Sequence, residues 1–188
     1  MGPIVISELL DENDIKELDR IISLKEHSHH EADAGRLLQN LNSLQTSYLN
    51  QKITDKVKSI LGKNLKMVAE GYTTYSIEYG SPILAPHCDS NETQYILDYH
   101  VDSNVEWPIA VEGEYVNLKN NEAVLFSGKY DIHWRPKKEF KGGEFVSMIF
   151  FHFVDLDNLE AASFDVYEND EDFASRLKKW KSTWEQGN

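Results

Sequence analysis

Tyr79-Gly80-Ser81-Pro82-Ile83-Leu84-Ala85-Pro86-His87-Cys88-Asp89 is an aromatic, extended-looking stretch broken by glycine and proline and closed by His-x-Asp. On an extended chain, successive side chains face opposite ways, so His87 and Asp89 share a side and Cys88 points away. A second stretch matters equally: Asn121-Glu122-Ala123-Val124-Leu125-Phe126-Ser127-Gly128-Lys129-Tyr130-Asp131-Ile132-His133-Trp134-Arg135-Pro136. Both lie in a region, Leu65 to Leu156, where runs rich in Tyr, Val, Ile, Phe and Thr are separated by Gly, Pro, Asn and Asp clusters. Candidate strands are Lys66 to Tyr79, Gln94 to Val101, Ile109 to Val111, Glu122 to Phe126, Asp131 to Arg135 and Glu144 to Val154. Strands in succession with no helix between them imply an antiparallel sandwich or barrel.

Outward from this region the period changes. Ile4 to Leu10 reads as a short strand or lead-in. Asp11 can cap a helix, with Asp14 in its first turn and Ile15, Leu18 and Ile22 at helical spacing. Glu26 to Gly35 has no period and reads as a loop. Leu49, Ile53, Val57 and Ile60 mark a second helix that Gly62 can end. Phe173, Leu177, Trp180 and Trp184 form the stripe of a last helix. Each stripe is expected to pack on a sheet. The fold class is α+β: one domain over 1–188, with a helical flank to about residue 64, a strand core over about 65–156 and a C-terminal helix over about 170–186.

The chain has 188 residues, 40% of them hydrophobic, which suits one domain with one sizeable core. No run approaches the roughly 20 apolar residues of a membrane span, and Met1 to Asp11 does not read as a secretory signal. Cys88 is the single cysteine, so no internal disulfide forms; a reducing, cytoplasmic location is the simple expectation. The formal charge of −13 repels phosphate backbones and argues against nucleic acid as the main partner. Two basic clusters, Arg135, Lys137, Lys138 and Lys141, and Arg176, Lys178, Lys179 and Lys181, read as solvated faces.

A lone His-x-Asp is weak evidence for a site, and a buried histidine is more often a satisfied core residue than a ligand. The joint pattern is stronger. His87, Asp89 and His133 supply two imidazoles and one carboxylate within the strand-rich region, the facial triad of non-haem Fe(II) oxygenases. His27, His29 and His30 lie in the polar loop. His100 adjoins Tyr99 and faces the other way. His152 ends an aromatic strand and reads as structural. Cys88 has no partner base and reads as a packing residue; Trp107 and Trp134 read as core or rim.

These residues resemble the 2-oxoglutarate and Fe(II)-dependent dioxygenases. Tyr79-Gly80, His87-Cys88-Asp89, Thr93 through Tyr99, Glu122 to Phe126, and then His133-Trp134-Arg135 with Phe140, Gly142 and Phe150-Phe151-His152-Phe153 carry the resemblance, the last set being similar to a bacterial and phage-type subgroup. It covers roughly Tyr72 to Asp155. It implies a double-stranded β-helix (jelly roll, cupin-like), with His87, Asp89 and His133 as the metal ligands and the catalytic centre, and Tyr99 facing the co-substrate. One departure stands out. The family's Arg-x-Ser after the distal histidine is here Phe145 with Ser147, so another base must hold the co-substrate's distal carboxylate. Arg135, two residues beyond His133 and on its side of the strand, is the first candidate; Lys141 is the second.

The resemblance implies Fe(II), 2-oxoglutarate and dioxygen as cofactors and co-substrates. It implies oxidative decarboxylation coupled to hydroxylation, or a related oxidation, of a small molecule or a protein side chain. Two other classes stay open on the sequence: a cupin-type metal barrel acting without 2-oxoglutarate, and a non-catalytic binding module. Oligomeric state is not readable.

Overall fold

Strand β1 (Ile4–Ile6) leads into helix α1 (Glu12–Ser23), whose start is fixed as expected: the Asp11 carboxylate accepts the Asn13 and Asp14 amides while Asp14 accepts the Asp11 amide. Then come β2 (Ser28–Glu31), β3 (Arg36–Asn40), α2 (Asn42–Gln45) and α3 (Tyr48–Leu61), which ends on Gly62 in the left-handed region at φ 63°. The middle of the chain is β4 (Leu65–Ser76), β5 (Tyr95–Ser103), β6 (Ile109–Val111), β7 (Glu114–Val116), β8 (Ala123–Phe126), β9 (His133–Trp134) and β10 (Phe145–Asp155). Three helices follow: α4 (Leu159–Ser163), α5 (Val166–Asn169) and α6 (Glu171–Glu185). The computed structural model describes residues 1–24, 28–90, 92–163 and 165–187. His27 and Glu26 of the expected loop lie outside these.

The strands form two antiparallel sheets. The larger has the order β1-β8-β5-β10-β4-β3-β2, and the smaller β7-β6-β9. Alternation assigns the faces. On the large sheet, Leu97, Tyr99, Ile149, Phe151 and Phe153 turn outward and pack with Leu18, Ile21, Leu49, Ile53 and Val57 of the helices. Ile96, Val124 and Phe126 turn inward and meet Ile109, Val111 and Val116 of the small sheet. The outer face of the small sheet, with Ala110, Ile132 and Trp134, is covered by Val166, Phe173, Leu177, Trp180 and Trp184. Two facing sheets with helices on the outside of each give the expected jelly roll within an α+β fold.

Three expectations need correction. The N-terminal flank is not purely helical, because β2 and β3 extend the large sheet beyond β4. Strand β7 was not foreseen, although Glu112 (φ 49°) and Gly113 (φ 87°) make the two-residue turn that joins β6 to β7. Ile60 does not share the buried stripe of α3: it is 38% exposed, and Thr54 is buried instead.

Candidate metal centre

His87 and His133 face each other across a single antiparallel bridge, with the His87 amide 3.1 Å from the His133 carbonyl and the reverse bond at 2.9 Å. The Asp89 amide donates to the Gly128 carbonyl at 2.8 Å. Three backbone bonds thus set three side chains from two remote segments. Their Nε2 atoms stand 3.9 Å (His87) and 3.7 Å (His133) from Asp89 Oδ1, and the three candidate ligand atoms lie within 4.8 Å of one another.

The imidazoles are oriented by their far nitrogens. Nδ1 of His87 is 2.8 Å from the Ala85 carbonyl, and Nδ1 of His133 is 3.0 Å from the Asp131 carbonyl. A carbonyl only accepts, so each Nδ1 carries the proton and each Nε2 keeps its lone pair, the tautomer a metal needs. Burial pushes His87 down to about 4, helped by the neighbouring His133. Burial also opposes charge on His133, but the neighbouring Asp89 carboxylate outweighs it and holds His133 above the ordinary value. Burial acts to raise Asp89, yet the two neighbouring imidazoles, His133 first, leave its carboxyl below the usual range. Asp89 Oδ2 is buried and accepts no hydrogen bond from protein. Such an orphaned carboxylate oxygen is costly alone and fits a site built for a cation. Gly128 makes the site possible sterically, since a Cβ there would sit 2.5 Å from that same Oδ2. Cys88 packs away from the triad, and burial pushes its thiol up.

No protein-family model matches the chain, and no curated protein sequence does. Solved structures do. An oxidoreductase of the 2OG-Fe(II) oxygenase family from Burkholderia pseudomallei matches at a TM-score of 0.62 and 6% identity, over 81% of this chain and 84% of that one. A prolyl hydroxylase from Trichoplax adhaerens, in complex with a hypoxia inducible factor peptide fragment, matches at 0.59 and 11%, over 87% and 88%. HygX from Streptomyces hygroscopicus, with nickel and 2-oxoglutarate bound, matches at 0.59 and 8%, over 82% and 83%. The fold is that of the 2OG-Fe(II) oxygenases.

Within the 2OG-Fe(II) oxygenase fold, the triad opens onto a cavity of about 320 Å³ between the sheets. Its wall includes Arg36, Leu38, Glu70, Tyr75, Leu84, Asp98, Phe150 and His152. The residues expected at the co-substrate are distributed differently. Tyr99 has the wrong parity: it faces the helices, and its hydroxyl donates to Asn121 Oδ1 at 3.3 Å. The inward residue beside it is Asp98. Ser147 likewise turns away from the cavity and bonds Thr74 across the strand pair at 3.1 Å; Val146 is the neighbour whose side chain joins the inner cluster with Tyr75 and Met148. Lys141 sits exposed in the turn before β10, its amide bonded to Glu144.

Arg135 does share the inward side of His133, and it is not on a solvated face: it is 2% exposed. Its Nη1 donates to the Trp107 carbonyl and its guanidinium lies 5.1 Å from the Trp107 ring centroid. Its Nε and Nη2 have no hydrogen-bond acceptor, and Nη2 is 3.5 Å from Asp98 Oδ2, too far for a bond. Neither Asp98 oxygen accepts a hydrogen bond, although Oδ2 is within ion-pair distance of Arg135. Burial raises Asp98 to about 7 against the pull of Arg135. Arg135 therefore meets the cavity through Asp98.

Sequence reading missed Arg36, Asp98 and His152. His152 lines the cavity and bonds Thr93 Oγ1 through Nδ1 at 2.9 Å. Its place two residues beyond Phe150 on the inward side of β10 could have been read from alternation. Arg36 could not, because β3 was itself unforeseen.

Proposed function

We propose that this chain is an Fe(II)- and 2-oxoglutarate-dependent oxygenase that hydroxylates, or otherwise oxidises, a small molecule or a protein side chain. The observation that carries this reading is the triad itself: two imidazoles pre-set in the metal-binding tautomer around an orphaned carboxylate oxygen, at the wall of a cavity in this fold. When bound, the iron and 2-oxoglutarate would supply dioxygen activation and its reducing electrons. The chain's own part is to hold and position. His87, Asp89 and His133 fix the ligand geometry. The apolar wall of Leu84, Ile96, Phe126 and Phe150 keeps water from the reacting C–H bond.

Arg135 is the proposed anchor for the distal carboxylate of 2-oxoglutarate. Its Nε and Nη2 donate no hydrogen bond in the protein, and the Asp98 carboxyl, pushed up to about 7 by burial, can add an O–H to the same oxyanion when protonated. A second reading rests on the same pair. If Asp98 already satisfies Arg135, the barrel works as a metal site without 2-oxoglutarate. The acidic surface favours a small-molecule or protein substrate over nucleic acid, and the single buried thiol suits the cytoplasm.

Adding 2-oxoglutarate to the anaerobic Fe(II) protein tests this. Chelation should give a visible metal-to-ligand charge-transfer band, and Arg135→Ala should weaken the titration about tenfold or more, the worth of a buried charge-assisted pair. Bound iron with no such band favours the second reading. Failure to bind iron would reduce the chain to a binding module.

A further inference from the structure

The cavity that holds the triad carries a basic side chain, Arg36, that the reading above leaves unused. Arg36 lies on β3 opposite Tyr75 of β4 and lines the same cavity as the triad. Glu31, its cross-strand neighbour on β2, takes the outer edge of the guanidinium: Nε and Nη2 both lie 2.6 Å from Glu31 Oε2. That pins the plane of the fork and leaves Nη1 at the inner edge, where it donates to the Tyr75 hydroxyl at 3.2 Å. Having accepted from Arg36, the Tyr75 hydroxyl keeps its own proton to donate. A guanidinium N–H and a phenol O–H side by side make a two-donor cradle for one oxyanion.

The cradle is held in register with the metal site. Gly35, at φ 59°, presses against Ser81 and Pro82, so close that a Cβ there would lie 2.2 Å from Pro82 N. The Ile83 amide donates to the Ala34 carbonyl at 3.2 Å. The residue before Arg36 is therefore clamped to the segment that leads into His87. Glu31 is about one-third exposed, so its ion pair with Arg36 is screened by water and easily shared with a second anion. Leu38, Leu84 and Phe150 supply apolar wall nearby.

We propose that Arg36 and Tyr75 form the substrate's carboxylate subsite, so that the substrate is a small molecule joining an apolar chain to a carboxylate. This rests on the oxygenase reading above, in which Arg135 takes the distal carboxylate of 2-oxoglutarate and leaves Arg36 for the second acid.

The test is equilibrium titration of butyrate, with butyramide as its uncharged counterpart, into the anaerobic protein loaded with Fe(II) and 2-oxoglutarate. Butyrate should bind and butyramide should bind at least about tenfold more weakly. Arg36→Gln should weaken butyrate about tenfold while 2-oxoglutarate affinity is unchanged, and Arg36→Lys should recover part of the loss. Tyr75→Phe, which removes only the hydroxyl, should weaken butyrate less than Arg36→Gln does and keeps the test open if the glutamine variant misfolds. Equal butyrate affinity in wild type and Arg36→Gln overturns the proposal, as does absence of butyrate binding to wild type. Loss of 2-oxoglutarate affinity in Arg36→Gln with butyrate retained also overturns it and assigns the guanidinium to the co-substrate. If wild type binds Fe(II) but never 2-oxoglutarate, the oxygenase reading has failed; butyrate titrated into the Fe(II) protein still decides the role of Arg36.

Discussion

Strand β10 is 11 residues long and paired with β4 and β5 on its two sides, whereas β9, which carries His133, is 2 residues long. The large sheet is held by its own ladder and by apolar burial against α1 and α3. The small sheet has a much shorter ladder, and besides the apolar cover on its two faces it is held by side chains that bond to its backbone. Glu112 Oε1 accepts the Ile132 amide at 2.8 Å, and the same carboxylate takes Arg176 and the Trp180 indole N–H at 3.0 Å. Trp184 donates to the Arg135 carbonyl at 2.8 Å, and the Tyr167 hydroxyl spans the Cys88 amide and carbonyl at 2.9 and 3.0 Å. The two sheets are thus held differently: one by a long ladder, the other by a short ladder to which, with the ligand segment beside it, side chains of α5 and α6 are bonded.

Substitutions on either side of this division should separate metal binding from stability. His133→Ala should have the largest effect, abolishing iron binding at concentrations that saturate wild type while leaving the fold intact, since a three-ligand site cannot spare one. Full occupancy by metal analysis of the folded variant would end the assignment. Ile53→Ala, on the buried face of α3, should cost about 2–5 kcal/mol in denaturant unfolding and leave iron affinity of the folded protein unchanged. If affinity falls with it, the two sheets are not independent. Glu112→Ala should cost less, about 1–3 kcal/mol for the donors it strands, but should also weaken iron about tenfold, as disturbance of an outer shell does. Stability lost with affinity retained would show that α6 props the sheet without positioning His133. Tyr167→Phe should be the mildest, costing about 1 kcal/mol and weakening iron slightly; an effect on iron larger than that of Glu112→Ala would reverse the ranking of α5 and α6.

The same contrast explains what the sequence could tell. Long strands with inner and outer faces, such as β4, β5 and β10, were legible within a few residues because alternation over many positions leaves little ambiguity. That His87, Asp89 and His133 come together was legible because alternation along one extended segment puts two of them on one side and the third follows a clear strand. Strands β2 and β3 hid in polar or mixed runs, Ser28-His29-His30-Glu31 and Arg36-Leu37-Leu38-Gln39-Asn40, where β3 pairs with β4 and β2 only with β3, so partners rather than their own pattern decide them. Tyr99 and Ser147 were assigned by resemblance, and each turned out one residue out of phase. On a pleated strand one residue is the difference between the cavity and the opposite face. Arg135 was legible by parity from His133, but its Asp98 partner was not, because nothing local marks a carboxylate that a distant strand will bury.

Gly128 has a consequence of another kind. Its backbone is not in the left-handed region, so alanine is conformationally admissible there, and a glycine codon becomes an alanine codon by one base change. The added methyl would land on Asp89 Oδ2, the buried oxygen that accepts no hydrogen bond from the protein. One base change therefore suffices to put a methyl where the triad's carboxylate oxygen stands. A lineage of such barrels can shed its chemistry and keep its architecture, and the residue to inspect for that history is a glycine rather than a ligand.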